Sequence, residues 1–158
     1  WTIKLNDTNI SNGTSSNFVI NTINYTENSN VQTGYMAPGR SGYFDIIVDP
    51  TGTSVAIKYD IEINISDSEY PANISFSVTD LSGGNAIRTG PNTYSGVINL
   101  AGITSGNTIT LRLNITWDNN EDYNATDSVL GTTENSKISI PVIVDVKQYL
   151  GETITPYE

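Results

Sequence analysis

The segment between Val55 and Ile65 limits what this chain can fold into more than any other. Apolar side chains occupy every second position, and most of the positions between them are charged or polar. Successive side chains of an extended strand point to opposite faces, whereas a helix brings together side chains three and four residues apart. The segment therefore predicts a β-strand with one buried face, made of Val55, Ile57, Tyr59, Ile61, Ile63 and Ile65.

Similar strand patterns, separated by turn residues such as Gly, Pro, Asn and Asp, recur along the whole chain. Isoleucine and threonine, at 20 residues each, have branched β-carbons that fit a pleated sheet better than a helix. No segment carries a credible helical pattern, and 158 residues suit a single domain. Eight or nine such strands predict an all-β sandwich of immunoglobulin-like or jelly-roll type. Besides 55–65, the predicted strands are 1–5, one that begins at Phe18, 43–48, 74–78, 94–100, 108–117 and 137–149.

Histidine and cysteine are both absent from the chain. Their absence excludes disulfides, thiolate nucleophiles, zinc sites built from these residues and Ser-His-Asp triads. No nucleophile elbow and no Ser-x-x-Lys motif occurs either. The sequence therefore predicts a protein that is not an enzyme and that requires no cofactor.

The charge of the chain bears on its partners and its location. Seven basic against 17 acidic residues give a net charge of −10, which opposes binding to nucleic acid or to an anionic membrane. No apolar run approaches the roughly 20 residues of a membrane span, so no membrane insertion is expected. The first residue is Trp1 and lysine is scarce, which predicts an extracellular or cell-surface protein that has lost a signal peptide.

The N-terminal segment is the main clue to function. Trp1, Ile3 and Leu5 alternate with Thr2, Lys4 and Asn6, and a polar stretch from Asp7 to Asn17 follows. A terminal strand on a polar linker either pairs within its own sheet or adds to the sheet edge of a second copy. Donation from head to tail does not close on itself and builds a filament.

Several short motifs occur in an order that suggests a family. A Pro-Gly-x-x-Gly turn and a strand lie in Met36–Phe44, an Asp- and Gly-containing turn in Val48–Thr53, and a strand bearing Tyr in Val55–Tyr59. A Trp-containing strand end at Ile115–Asp118 precedes an Asp-Ser-x-x-Gly element at Asp127–Gly131. This order resembles the exported TasA/camelysin-like proteins of Gram-positive bacteria, although the second residue of the last element is Thr in that family.

The resemblance implies a jelly-roll subunit of extracellular fibres whose N-terminal strand is donated to the next subunit. Residues 1–17 would then be the donor strand with its polar linker, and residues 18–158 the jelly-roll sandwich. The implied partners are copies of the chain itself, in a homopolymer. The family name carries a claim of metalloprotease activity, but a chain without histidine cannot supply a His-based zinc site.

An acidic stretch after the Trp-containing strand is a candidate calcium site. Calcium takes six to eight oxygen ligands, and carboxylates and amides are frequent from residue 118 to residue 127. The spacing does not match an EF-hand, so a solvated acidic loop is the other interpretation. The candidate ligands are Asp118, Glu121, Asp122 and Asp127.

Asn-x-Ser/Thr sequons are a further feature of the chain, at eight positions. They would accept glycans in an exported protein of a suitable organism and otherwise form only a polar surface. Three of them lie in or near the polar stretch after the first strand. The candidate acceptors are Asn6, Asn9, Asn12, Asn24, Asn64, Asn73, Asn114 and Asn124.

Two other functions stay open at this point. In a monomeric cell-surface adhesin or carbohydrate-binding module, the N-terminal strand would pair within its own sheet and tyrosines in loops would contact glycans. A subunit of a covalently anchored pilus is the weaker alternative, because residues 151–158 carry no sorting signal.

Overall fold

The structure is a computed structural model that describes residues 2–6, 8–11, 14–20, 23–26, 30–31, 35–64, 73–82, 86–132 and 140–158. The first five strands are β1 (Thr2–Leu5), β2 (Thr8–Ser11), β3 (Thr14–Ile20), β4 (Asn24–Tyr25) and β5 (Ser41–Asp49). The remaining strands are β6 (Ile57–Ile63), β7 (Ile74–Asp80), β8 (Ile87–Arg88), β9 (Thr93–Ile98), β10 (Ile109–Trp117) and β11 (Ile140–Gln148). The helices are α1 (Leu100–Thr104) and α2 (Asn124–Thr132), and a short 3-10 helix, Glu121–Tyr123, precedes α2.

The strands form two antiparallel sheets. Sheet A has the order β2-β1-β5-β10-β7, with β4 also paired to β5, and sheet B has the order β3-β11-β6-β9-β8. The prediction of an all-β sandwich is confirmed. The jelly-roll connectivity stays a prediction.

The core lies between the two sheets, where the alternating faces meet. On β6 and β10 the buried side chains fall on every second residue, and β11 does the same as far as Val146. The predicted strand 55–65 is shorter than expected at its start, because the Thr53 hydroxyl accepts a hydrogen bond from the Val55 amide in a local turn. Its predicted end at Ile65 lies outside the described residues.

Two short helices replace what the sequence predicts as loop or strand end. The Asn99 side chain caps α1 by accepting a hydrogen bond from the Gly102 amide at 2.8 Å. Helices of five and nine residues are too short for an apolar repeat to show in the sequence, so only local capping signals their presence. No helix in the described part of the chain is long and apolar enough to cross a membrane.

The phenol of Tyr59 has a raised pKa, so the free energy of unfolding depends on pH in the alkaline range. Tyr59 is 1% exposed, and burial raises its pKa above the usual value of about 10, with the nearby Asp80 carboxylate adding to the effect. Above that pH the unfolded phenol ionises and the folded one stays neutral, so unfolding becomes more favourable as pH rises. We expect urea denaturation between pH 8 and pH 11 to show a falling free energy of unfolding that Tyr59→Phe largely abolishes. An equal decline in both proteins would contradict this assignment.

Candidate functional site

The N-terminal strand is paired within its own chain. Lys4 lies opposite Asp49 and Leu5 opposite Val48, so β1 joins the end of β5 over two residues. On its other side β1 pairs with β2 over its whole length. Of the predicted donor residues, the structure places Thr2 to Asn6 in or directly after this strand, whereas Trp1 lies outside the described residues.

The structure replaces the predicted polar linker with strands. Leu5 pairs with Thr8, so only residues 6 and 7 separate the arms of the β1–β2 hairpin. Asn6 has a φ of +45°, which two-residue hairpin turns require and which asparagine adopts readily. The predicted boundary between residues 17 and 18 falls inside β3, which pairs with β11 in sheet B. The described residues between 2 and 17 therefore lie in β1, β2 and β3 or, for Asn6, in the turn after β1. The division into a donor segment and a sandwich stays a prediction.

β1 pairs with one edge of β5, and different short segments cover the two ends of that edge. β4 pairs with Gly42 and Tyr43, while Asn6 exchanges hydrogen bonds with the main chain of Ile47. Main-chain groups of an antiparallel strand alternate in direction, so the amide and carbonyl of Asp45 point to this same edge. No strand in the described part of the chain pairs with Asp45 there. The N-terminal hairpin thus lies beside an edge that it covers only in part.

The acidic stretch does not form one group of ligands. Asp127 is buried (8% exposed), whereas Asp118, Glu121 and Asp122 are exposed. Among the described residues, no three carboxylates come together in a way that could hold a metal ion. The calcium prediction therefore gains no geometry from the structure and stays a prediction.

Asp127 instead joins α2 to the end of the sandwich. Its Oδ1 accepts a hydrogen bond from Trp117 Nε1 at 3.1 Å, and its Oδ2 accepts one from Asn73 Nδ2 at 3.1 Å. Trp117 ends β10, and Asn73 directly precedes β7. Trp117 and Asp127, which belong to the motifs described in the sequence analysis, therefore hold α2 against the end of the sandwich.

The candidate glycan acceptors differ in their accessibility. Asn73 is 7% exposed, and its Nδ2 also donates to the carbonyl of Asp118 at 2.9 Å, so the folded chain does not offer it for modification. Asn114 is half-buried, with its Nδ2 donating to the Thr79 hydroxyl at 3.0 Å. Asn12 lies outside the described residues. The exposed acceptors are Asn6, Asn9, Asn24, Asn64 and Asn124.

Arginine side chains cover several tyrosine rings that could otherwise contact sugars. The Arg112 guanidinium lies 3.7 Å from the ring centroid of Tyr43 and also pairs with Asp45 at 2.8 Å. The guanidinium of Arg40, which is buried, lies 4.6 Å from the ring centroid of Tyr25. These contacts leave less aromatic surface for a glycan than the number of tyrosines suggests.

Sequence reasoning did not single out Arg40, because it lies in a turn. Its Nε donates to the carbonyl of Thr26 at 3.2 Å and its Nη1 to the carbonyl of Tyr35 at 2.6 Å. A basic residue inside the Pro-Gly-x-x-Gly turn was the only available signal, and it gives no hint of burial. Arg40 connects the residues around β4 to the start of β5.

Comparison with family models, with curated proteins and with solved structures finds no match to this chain. The resemblance to TasA/camelysin-like proteins therefore stays a prediction.

Proposed function

We propose that this chain is the structural subunit of an extracellular filament, pilus or biofilm matrix fibre. Copies would join head to tail, each donating residues Trp1–Asn6 to the sheet of the next. The observation that carries the proposal is the short attachment of β1 to β5, which pairs at Lys4 and Leu5 and continues only in the hydrogen bonds between Asn6 and Ile47. By comparison, β10 pairs with β5 from Ser41 to Val48.

The strand has the composition that donation needs. In an extended strand, Trp1, Ile3 and Leu5 share one face, and burying each of them contributes about 1.5–3 kcal/mol. Main-chain hydrogen bonds to the acceptor would add to this. A donated strand gives up its pairing with β2 over four residues and with β5 over two, so the proposal requires that burial of its apolar face in a second copy outweighs this loss.

The composition supports the same function and an extracellular location. A fibre outside the cell commonly relies on disulfides, but this chain has no cysteine. Strand pairing between subunits would stabilise the fibre in place of disulfides. The net charge of −10 keeps free subunits soluble before they assemble.

The test compares the full chain with a chain that lacks residues 1–6, by negative-stain electron microscopy of purified protein. We expect filaments from the full chain and none from the truncated one, because the donor strand is missing. Filaments of normal length from the truncated chain would contradict the proposal. Circular dichroism would establish that both chains are folded.

A matched pair of variants separates the apolar face of the strand from its charge. Ile3→Asp with Leu5→Asp and the single change Lys4→Glu both shift the net charge by two units. We expect the first to abolish filaments, because the charges fall on the face to be buried, and the second to retain them. Loss of filaments in both would indicate a charge effect rather than burial of the strand.

A monomeric adhesin or carbohydrate-binding module is the second candidate. It is favoured by the pairing of β1 with β2 and β5 of its own chain. It predicts a monomer by light scattering at micromolar concentration and a saturable response to a glycan. Tyr35, at 61% exposure, is the most accessible of the described tyrosine rings available for such a contact. Filaments together with no glycan response would exclude this alternative.

A further inference from the structure

Asp127 carries a buried charge, and no basic residue in the described part of the chain pairs with it. The residue is 8% exposed and lies on α2 at the end of the sandwich. Its carboxylate accepts hydrogen bonds from Trp117 Nε1 and Asn73 Nδ2, which are both neutral groups. Buried charges in proteins are ordinarily paired with an opposite charge or bound to a metal ion.

A second buried group beside Asp127 also lacks a partner. Asn73 is 7% exposed, and its Oδ1 accepts no hydrogen bond from any described residue. Buried side-chain oxygens are nearly always satisfied by a protein donor, a water molecule or an ion. The uncompensated carboxylate and the unpartnered oxygen thus lie on two side chains that are hydrogen-bonded to each other.

Three oxygen atoms surround the amide nitrogen of Asn73. Nδ2 lies 2.9 Å from the Asp118 carbonyl oxygen, 3.1 Å from Asp127 Oδ2 and 3.4 Å from Asp127 Oδ1. The N–H groups of the amide offer these oxygens a partial positive charge. A cation among the same oxygens would offer a full one.

A half-turn of the Asn73 carboxamide converts this arrangement into a group of four oxygens. Rotation about the Cβ–Cγ bond exchanges Oδ1, an acceptor, with Nδ2, a donor. Oδ1 would then lie about 3 Å from the Asp118 carbonyl and from the Asp127 carboxylate. Calcium binds oxygens at about 2.3–2.6 Å, so neighbouring ligands in its pentagonal-bipyramidal geometry are also about 3 Å apart. The four oxygens would repel one another alone and would fit a cation between them.

We infer that Asp127, Asn73 and the main-chain carbonyl of Asp118 bind a calcium ion where α2 meets the start of β7 and the end of β10. All these ligands are oxygen atoms, which hard cations prefer. Calcium accepts such an irregular set and completes its shell with water, whereas magnesium requires near-octahedral geometry. Of the four carboxylates that the sequence predicts as ligands, Asp127 alone belongs to this site.

Binding changes the charge balance of the site more than its hydrogen bonding. After the half-turn, Nδ2 of Asn73 takes the place of the unpartnered Oδ1, so one buried group still lacks a described partner. The hydrogen bonds that Nδ2 makes now are replaced by bonds from the oxygens to the ion, and the Asp127 carboxylate gains a positive partner. The ion would therefore hold α2 to β7 and β10 and stabilise the sandwich in the presence of calcium.

Thermal unfolding of the full chain tests the inference, with circular dichroism as the signal. The Tm is compared in EDTA, in about 10 mM calcium chloride and in about 10 mM magnesium chloride. Calcium sites of extracellular modules have Kd values of about 0.1–1 mM, so this concentration is about 10–100 times Kd. We expect calcium to raise the Tm by about 3–10 °C and magnesium to have little effect. Equal Tm values in EDTA and calcium would overturn the inference.

Three variants that each remove one negative charge locate the site. Asp127→Asn should abolish the calcium-dependent rise, because it removes the charged ligand. Asp118→Asn and Asp122→Asn change exposed side chains of the same stretch and should retain the rise, since Asp118 contributes its main-chain carbonyl. A rise that persists in Asp127→Asn, or that is lost in Asp122→Asn, would place calcium elsewhere and overturn this site.

Asn73→Asp gives a second test, which does not depend on the folding of Asp127→Asn. An aspartate presents an oxygen to the ion in either orientation and places a second negative charge beside Asp127. We expect a lower Tm than that of the parent chain in EDTA and a larger rise with calcium. A Tm of Asn73→Asp that does not respond to calcium would contradict the site.

These outcomes do not depend on the proposed filament function. The Tm is measured on the chain whether or not it assembles, and the variants lie outside the predicted donor strand. A calcium response that requires Asp127 supports the site even if no filaments form. Filaments without a calcium response overturn the site and leave the filament function intact.

Discussion

Replacement of Trp117 by alanine is expected to lower the free energy of unfolding by about 3–5 kcal/mol. Trp117 is 6% exposed at the end of β10, so its removal leaves a large cavity in the core. The change also removes the indole donor from the buried Asp127 carboxylate, which then keeps only the Asn73 amide among its described partners. Urea denaturation followed by circular dichroism measures the loss.

Trp117→Phe is the matched control for this prediction. Phenylalanine keeps much of the buried ring but has no Nε1 donor, so we expect a loss of about 1.5–3 kcal/mol, the usual range for a hydrogen bond to a charged group. Equal losses in the two variants would show that the hydrogen bond to Asp127, and not packing, dominates. A loss below about 1 kcal/mol in Trp117→Ala would contradict its place in the core.

Gly96→Ala is expected to destabilise the sandwich by about 3 kcal/mol, through overpacking. Gly96 lies on β9 directly opposite Tyr59 of β6, and the tyrosine ring lies across it. A β-carbon at position 96 would overlap the hydroxyl oxygen and Cζ of Tyr59 and would lie 2.9 Å from Cε1. Because Tyr59 is fully buried, its ring has no free space into which to move.

Two comparisons test this mechanism in the same denaturation assay. Gly102→Ala in α1 is the matched control, since a β-carbon there meets its nearest atoms at 3.4 Å and 3.6 Å, and alanine favours helix. Adding Tyr59→Phe to Gly96→Ala should not restore stability, because Cζ remains in the way. Similar losses for Gly96→Ala and Gly102→Ala would rule out the clash with Tyr59.

The strands that the sequence predicted well are those that lie in the centre of a sheet. β6, β10 and β11 each bury alternate residues, so the period of two appears directly in the sequence. β2 and the first half of β3 were missed, because Thr8 to Asn17 carries mainly Asn, Ser and Thr, which form strands and loops alike. Hairpin geometry at Asn6 and pairing with β11 decide their structure, and neither is visible in composition.

The candidate sites were predicted less well, for a related reason. Asp118, Glu121, Asp122 and Asp127 look equivalent in the sequence, but Asp127 alone turns inward, toward Trp117 and Asn73. Asn73 is 54 residues from Asp127 in the chain, so no local pattern connects them. The N-terminal strand was predicted as a strand, and its pairing with β2 and β5 came from the structure.

The sequence by itself determined the long central strands, which of their faces are buried, and that histidine and cysteine chemistry is absent. These properties are local, because side-chain alternation depends only on the extended backbone. The tertiary structure alone decided that β7 pairs with β10, that β11 lies between β3 and β6 inside a sheet and that the C-terminal segment contacts β8. An edge strand and a central strand can have the same alternation, since they differ in the hydrogen bonds that their main chains make with distant segments.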